Sequence, residues 1–154
     1  MEKIDAKDKR ILEILQQDAN TTIEWIAAKL RLTKSPVYER IKRLNKTGII
    51  KKYVAVVAPE KIESAMVVFC SVSLDSQKLE TIKLFGASVE KIPEVTECYL
   101  MGGSYDFLLK VLVKDLEAYH EFSSGKLAAL PNVSQISSTF VLNEVKRSTV
   151  VPIF

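Results

Sequence analysis

At 154 residues, 47% hydrophobic and 27% charged, the chain has an ordinary globular composition, enough for one medium domain or two small ones, and is not a disordered sequence. No apolar run reaches the roughly 18 residues needed to span a bilayer, and the charged start from Met1 to Arg10 is unlike a secretion signal; a cytoplasmic protein without membrane contact is expected. The net charge of +3 hides an asymmetry, since residues 1–60 carry a net of +5 and residues 61–154 a net of −2, which argues for two modules with different partners.

The boundary is expected near Ala58-Pro59-Glu60, where a proline and a polar stretch interrupt the apolar pattern. In the first module, residues 1–60, Ile4, Ile11, Leu12 and Leu15 place one apolar stripe on a helix over 5–17. Asp5 and Asp8 near its start suit the positive end of the helix dipole. Ile23, Ile26, Ala27 and Leu30 then recur at helical spacing, a break follows at 31–34, and Val37, Ile41 and Leu44 resume the pattern. That reads as helix, tight turn, helix, with the 5–17 helix closing the core. Thr33 or Ser35 can cap the second of the pair, Pro36 fits its first turn, and Gly48 can end it in a left-handed cap. Residues 48–57, rich in β-branched side chains, predict a strand or small wing, with Lys51 and Lys52 where a wing would meet phosphate.

Between Lys29 and Lys52 nine basic residues face one acid, Glu39, which is an electrostatic footprint for a polyanion. With Val37, Ile41 and Leu44 turned inward, Ser35, Glu39, Lys42 and Lys46 point outward; Tyr38 and Arg43 flank that strip, and Arg40 lies nearer the buried edge. Ser35, Tyr38, Glu39 and Lys42 are the candidate readers of base edges in double-stranded DNA. Lys34, Arg43, Lys46, Lys51 and Lys52 are candidates for phosphate, and Pro36 and Arg40 complete the candidate surface. The competing reading is a solvated face, in which Arg40 and Arg43 pair with Glu39, Asp18 or another acid of the fold.

The second module, residues 61–154, changes rhythm. A strand over 65–74 puts Met66, Val68, Cys70, Val72 and Leu74 on one face. A helix over 77–92 follows, inward through Leu79, Ile82, Phe85, Val89 and Ile92. Strands over 95–101 and 104–113 are separated by Gly102-Gly103, which fits a hairpin turn because glycine accepts positive φ. A helix over 116–130 and a strand over 133–145 complete β-α-β-β-α-β, a ferredoxin-like arrangement. The fold class is therefore α+β, a winged helix-turn-helix followed by a ferredoxin-like domain. The sheet face away from the helices is expected to carry Val67, Phe69, Ser71, Tyr99, Met101, Asp106, Leu108, Leu112, Thr139 and Val141. Such a face is too apolar for water, and the same face of a second copy is its simplest cover.

Specific motifs now accumulate. Ile4-Asp5 with Asp8 and Ile11-Leu12-x-x-Leu15-Gln16, Leu32-Thr33-x-Ser35-Pro36-Val37-x-x-Arg40-Ile41-x-Arg43-Leu44, and Gly48-Ile49-Ile50-x-x-Tyr53-x-Ala55 are followed by Gly103-x-Tyr105-Asp106-Phe107 and Thr139-Phe140-Val141-Leu142 to Val145-Lys146. Together these resemble the leucine-responsive, or Lrp/AsnC, family of transcription regulators over nearly the whole chain. The resemblance implies a C-terminal domain that dimerises, builds octamers or similar rings and binds an amino-acid effector. It also implies an effector pocket between dimers lined by Met101, Gly102, Gly103, Ser104, Tyr105 and Asp106, with Ser137 and Thr139 from the final strand. Asp106 would receive the ligand's amino group, and backbone N–H groups around Gly103 and Ser104 its carboxylate. Many members have Thr-Gly-Asp-Tyr-Asp at this loop. Here Gly102 removes a hydroxyl and Ser104 a carboxylate, which leaves the ligand's identity open.

Other chemistry is thin. His120, the only histidine, sits between Tyr119 and Phe122 as a partly exposed packing residue, and without a His/Cys cluster neither a metal site nor a cofactor is expected. Cys70 and Cys98 read as small core residues with free thiols. Two rivals remain: a ligand-independent architectural protein that wraps DNA, marked by weak sequence preference and a steep salt slope, and an enzyme on the dimeric domain, which would need a proton-transfer residue that Asp106 alone hardly supplies.

Overall fold

Asp5 starts the first helix. Its carboxylate accepts the Asp8 N–H at 2.8 Å while the Asp8 carboxylate accepts the Asp5 N–H at 3.0 Å, a capping box that satisfies donors a helix start leaves open. The computed structural model describes residues 4–62 and 66–154. α1 runs Ala6–Gln17, α2 Ile23–Leu30 behind a Thr22 cap, and α3 Lys34–Lys46. Thr33 takes the cap position of α3, but its hydroxyl makes no capping bond. Beyond the end of α3, Gly48 adopts φ +74°, and the Gly48 and Ile50 N–H groups donate to Asn45 and Leu44. Ile11, Ile26, Val37 and Leu44 are fully buried, so each of the three helices supplies at least one central side chain.

Residues 48–57, expected to lie in a strand or wing, form no strand. A strand exists only where a neighbour completes its hydrogen-bond ladder, and β-branched composition alone does not supply one. Tyr53, Val54, Val56 and Val57 are left exposed. The chain's last ten residues, placed by the sequence reading with the second module, return to the helices instead. Residues Val145–Phe154 group with Met1–Val56 as one compact unit, and Val57–Glu144 form the other.

In that second unit β1 (Met66–Leu74), β2 (Val95–Leu100), β3 (Phe107–Val113) and β4 (Val133–Phe140) form an antiparallel sheet in the order β2-β3-β1-β4. α4 spans Leu79–Val89, and α5, Leu116–Glu121, continues as a π-helical turn over Phe122–Leu127. Val68, Cys70 and Val72 of β1 and Leu109 and Val111 of β3 are fully buried on one sheet face, packed with Phe85, Val89, Tyr119, Phe122 and Leu127 of the helical segments. The Phe85 and Phe107 rings, centroids 4.5 Å apart, close the middle of this core.

Several expectations shift. The predicted start of β1 at Ala65 lies outside the described residues. β3 begins at Phe107 rather than Ser104, and β4 ends at Phe140 rather than near 145. Gly102 and Gly103 do not form a two-residue turn with positive φ. A six-residue loop, 101–106, joins β2 to β3, closed by the Met101 N–H on the Asp106 carbonyl at 2.8 Å, and a loop that long turns without left-handed residues. Leu79, at the first position of α4, is exposed rather than inward. Cys98 shares the helix-side face with Leu100, yet both are exposed, because β2 is an edge strand and the core forms over β1 and β3.

Candidate DNA interface and effector loop

The turn between α2 and α3 is built by Arg31, which takes a left-handed conformation at φ 53° and lets the Leu32 N–H reach the Ala27 carbonyl at 2.9 Å. With Val37 and Leu44 locked in the core, the opposite face of α3 is open: Ser35, Pro36, Tyr38, Glu39, Lys42 and Lys46 are all exposed. Lys42 Nζ lies 5.9 Å from the Tyr38 ring centroid, a cation over an aromatic face at the centre of that strip. Lys34 is exposed and bridges to Glu24 of α2 at 2.7 Å, while Lys51 and Lys52 are exposed beyond α3.

Arg40 and Arg43 behave differently. Arg40 Nη1 donates to Asp5 at 2.6 Å and Asp8 at 2.7 Å, and Arg43 Nη2 donates to the other Asp8 oxygen at 2.6 Å. The Asp8 side chain is 1% exposed, and a buried carboxylate persists only with charged or hydrogen-bonded partners. The sequence puts both arginines on the candidate DNA surface, with pairing to an acid of the fold as the competing reading; the structure assigns Arg40 to a clamp between α1 and α3. Arg43 is the more exposed of the two, 42% against 26% for Arg40. In the sequence alone Asp5 and Asp8 read only as helix-start acids. The signal for the clamp was two acids three residues apart at one helix start and two arginines three apart on another.

The Asp8 N–H, followed by Arg40, holds the Asp5 carboxyl at about 2, below its ordinary 3.8. A lowered carboxylate value stabilises the fold above the unfolded value and is lost as pH falls through the folded one. Melting temperature measured against pH should therefore show wild type and Asp5→Asn converging as pH drops from about 4 towards 2. A gap of constant size over that window would show that Asp5 acts only through shape.

In the second unit, Met101, Gly102, Gly103 and Ser104 of the β2–β3 loop are exposed and Tyr105 is half-buried. Asp106 is 8% exposed and anchors the loop: Oδ2 accepts the Leu74 N–H at 2.7 Å, Oδ1 accepts Gln77 Nε2 at 2.9 Å, and its own N–H donates to Val72 at 3.0 Å. Its first task is thus to tie β3 to the end of β1, with acceptor capacity left over on both oxygens. Ser137 and Thr139 are exposed on β4, opposite Ser71 and Phe69 in the ladder. β1 separates β4 from β3, so at about 4.8 Å per strand the two candidate groups sit roughly 10 Å apart in sheet order. A Cβ added at Gly102 or Gly103 meets nothing within 4 Å, so the loop's smallness is not demanded by packing.

His120 is exposed on α5, and Cys70 is buried, with its sulfur 3.3 Å from Tyr119 Oη. Burial pushes the Cys70 thiol up, which keeps it protonated.

Residues 4–45 match the AsnC-type helix-turn-helix domain, and residues 67–151 match the Lrp/AsnC ligand binding domain. The chain belongs to the Lrp/AsnC family. Among curated relatives, the proline dehydrogenase transcriptional activator of Rhodobacter capsulatus is 37% identical over 142 residues, 92% of either chain. The leucine-responsive regulatory protein of Salmonella typhimurium is 32% identical over 94% of this chain and 88% of its own. A Neisseria meningitidis transcriptional regulator, solved as its complex with L-Met, superposes with a TM-score of 0.91 at 32% identity, over 97% of both chains. As a member of the Lrp/AsnC family, this chain is a DNA-binding transcription regulator with a ligand-binding domain, and its relatives are regulators rather than enzymes. Among the described residues, no helix is long and apolar enough to cross a membrane.

Proposed function

We propose that this Lrp/AsnC chain is a cytoplasmic, non-enzymatic, sequence-specific regulator that reads double-stranded DNA with α3, assembles through its sheet into dimers and larger rings, and changes DNA affinity or assembly when an amino acid occupies the 101–106 loop. The observation that carries it is the joining, in one chain, of an open basic α3 face to a ligand-binding domain whose effector loop exposes residues 101–104. Ser35, Tyr38, Glu39 and Lys42 read base edges; Lys34, Arg43, Lys46, Lys51 and Lys52 seat the helix on the backbone, and Pro36 lies on the same surface. The open sheet face supports a two-fold dimer, since Val67, Phe69, Leu108 and Leu112 lie only half-buried there, beside the polar set Glu97, Tyr99 and Lys110.

In the effector site, N–H groups around Gly103 and Ser104 hold the ligand carboxylate, a spare lone pair of Asp106 takes its ammonium, and Ser137 and Thr139 reach it from another copy. That division follows from the sheet order, which keeps β4 away from the loop within one chain. Light-scattering mass and thermal melting, run with a panel of amino acids, test it. A ligand at a hundredfold excess over its Kd adds about 2.7 kcal/mol, so the melting point rises for a true effector. No shift in mass or melting for any amino acid would instead favour the ligand-independent architectural reading.

A further inference from the structure

The chain's end does something its sequence does not announce. Gln16, near the end of α1, makes both hydrogen bonds of one residue's main chain: its Oε1 accepts the Val151 N–H at 2.6 Å, and its Nε2 donates to the Val151 carbonyl at 3.2 Å. One turn from the other end of the helix, Lys9 Nζ donates to the Phe154 main-chain oxygen at 2.5 Å, and Ile153 packs against the helical core. The tail thus lies along α1, held by a side chain that imitates a peptide group. Behind it, residues 142–150 carry no secondary structure and are exposed back to Val141, whose N–H still donates to the Val67 carbonyl of β1.

From these contacts we propose that residues 151–154 are a releasable strap through which the ligand-binding unit controls the DNA-reading one; the idea rests on the effector reading given above. Two neutral hydrogen bonds, one lysine contact and a half-buried isoleucine make a local contact that opens far more readily than the cores on either side. The route is contiguous. β4, which carries Ser137 and Thr139, leads by chain into the strap; the strap lies on α1; and Asp5 and Asp8 at the start of α1 grip Arg40 and Arg43 of α3. A ligand that favours one course of the chain after β4 biases whether the strap is seated, and a seated strap steadies the helix that aims α3.

The test uses the full chain as wild type, Gln16→Ala and Ile153→Asp. It reads hydrogen exchange of the Val151 amide, the melting shift with the amino acid that stabilises wild type, and DNA affinity with and without that amino acid. Both variants should expose the Val151 amide and keep the melting shift, while a ligand effect on DNA affinity of about fivefold or more in wild type falls below about twofold. A ligand effect of wild-type size in a variant whose Val151 amide exchanges freely would overturn the proposal. Gln16→Ala removes no core side chain and carries the test if Ile153→Asp does not fold. If no amino acid shifts wild type, the effector reading has failed on its own. The strap is then judged from DNA affinity alone, where a change of about fivefold in either variant supports it and an unchanged value overturns it.

Discussion

Replacing Arg40 and Arg43 together by alanine is expected to destabilise the helical unit by about 3–5 kcal/mol, because it leaves the Asp8 carboxylate, 1% exposed, without a charged partner. Asp8→Asn should cost less, since Arg40 keeps its bond to Asp5 and both arginines reach water. The decisive variant adds Asp8→Leu to the double alanine change. Removing a whole buried ion set is close to neutral once apolar groups fill its place, so most of the loss should return, short of about 1 kcal/mol for the broken capping box. Urea unfolding midpoints of the three variants read this directly. A double variant within about 0.5 kcal/mol of wild type would mark the arginines as ordinary surface residues and return them to the DNA surface.

The triple change Lys46→Ala, Lys51→Ala, Lys52→Ala should act on DNA binding and not on stability, since all three side chains are exposed. Each phosphate contact contributes about −0.9 to the slope of log affinity against log salt, so the slope should become shallower by about 3 for each protomer bound. Affinity should fall by a similar factor on every DNA sequence. Glu39→Ala or Lys42→Ala should behave in the opposite way, relaxing preference at one position by about 1–3 kcal/mol while the slope changes by at most about 1. If the lysine triple alters sequence preference and leaves the slope alone, the division between phosphate and base contacts along α3 is wrong.

The elements most legible in the sequence were those whose signal is local. The apolar spacing of Val37, Ile41 and Leu44 and the alternation through Val68, Cys70 and Val72 each specify an element and the face it buries, and both cores lie where those patterns put them. The outward strip of α3 followed from the same arithmetic. What sequence could not carry was pairing at a distance. Arg40 and Arg43 are basic whether they meet phosphate or Asp8, and only the packing of α1 on α3 decides. Asp106 reads as a loop acid until β1 is seen to offer it the Leu74 N–H. Residues 48–57 have a strand's composition, but within one chain they have no ladder to join. The return of the tail to α1 depends on one glutamine side chain, which no periodicity marks.

The measurement that bears most directly on the central claim is selection of binding sites from a random duplex pool by the full chain, with and without the amino acid that raises its melting point. A dimeric helix-turn-helix regulator should enrich a two-fold symmetric site whose half-sites lie one helical turn of about 10–10.5 base pairs, or a multiple of it, apart. Glu39→Ala should blur one position in each half, and the ligand should change the enrichment. A pool that stays random, or that gains only general flexibility without a repeated half-site, would contradict sequence-specific regulation and leave a protein that coats or wraps DNA.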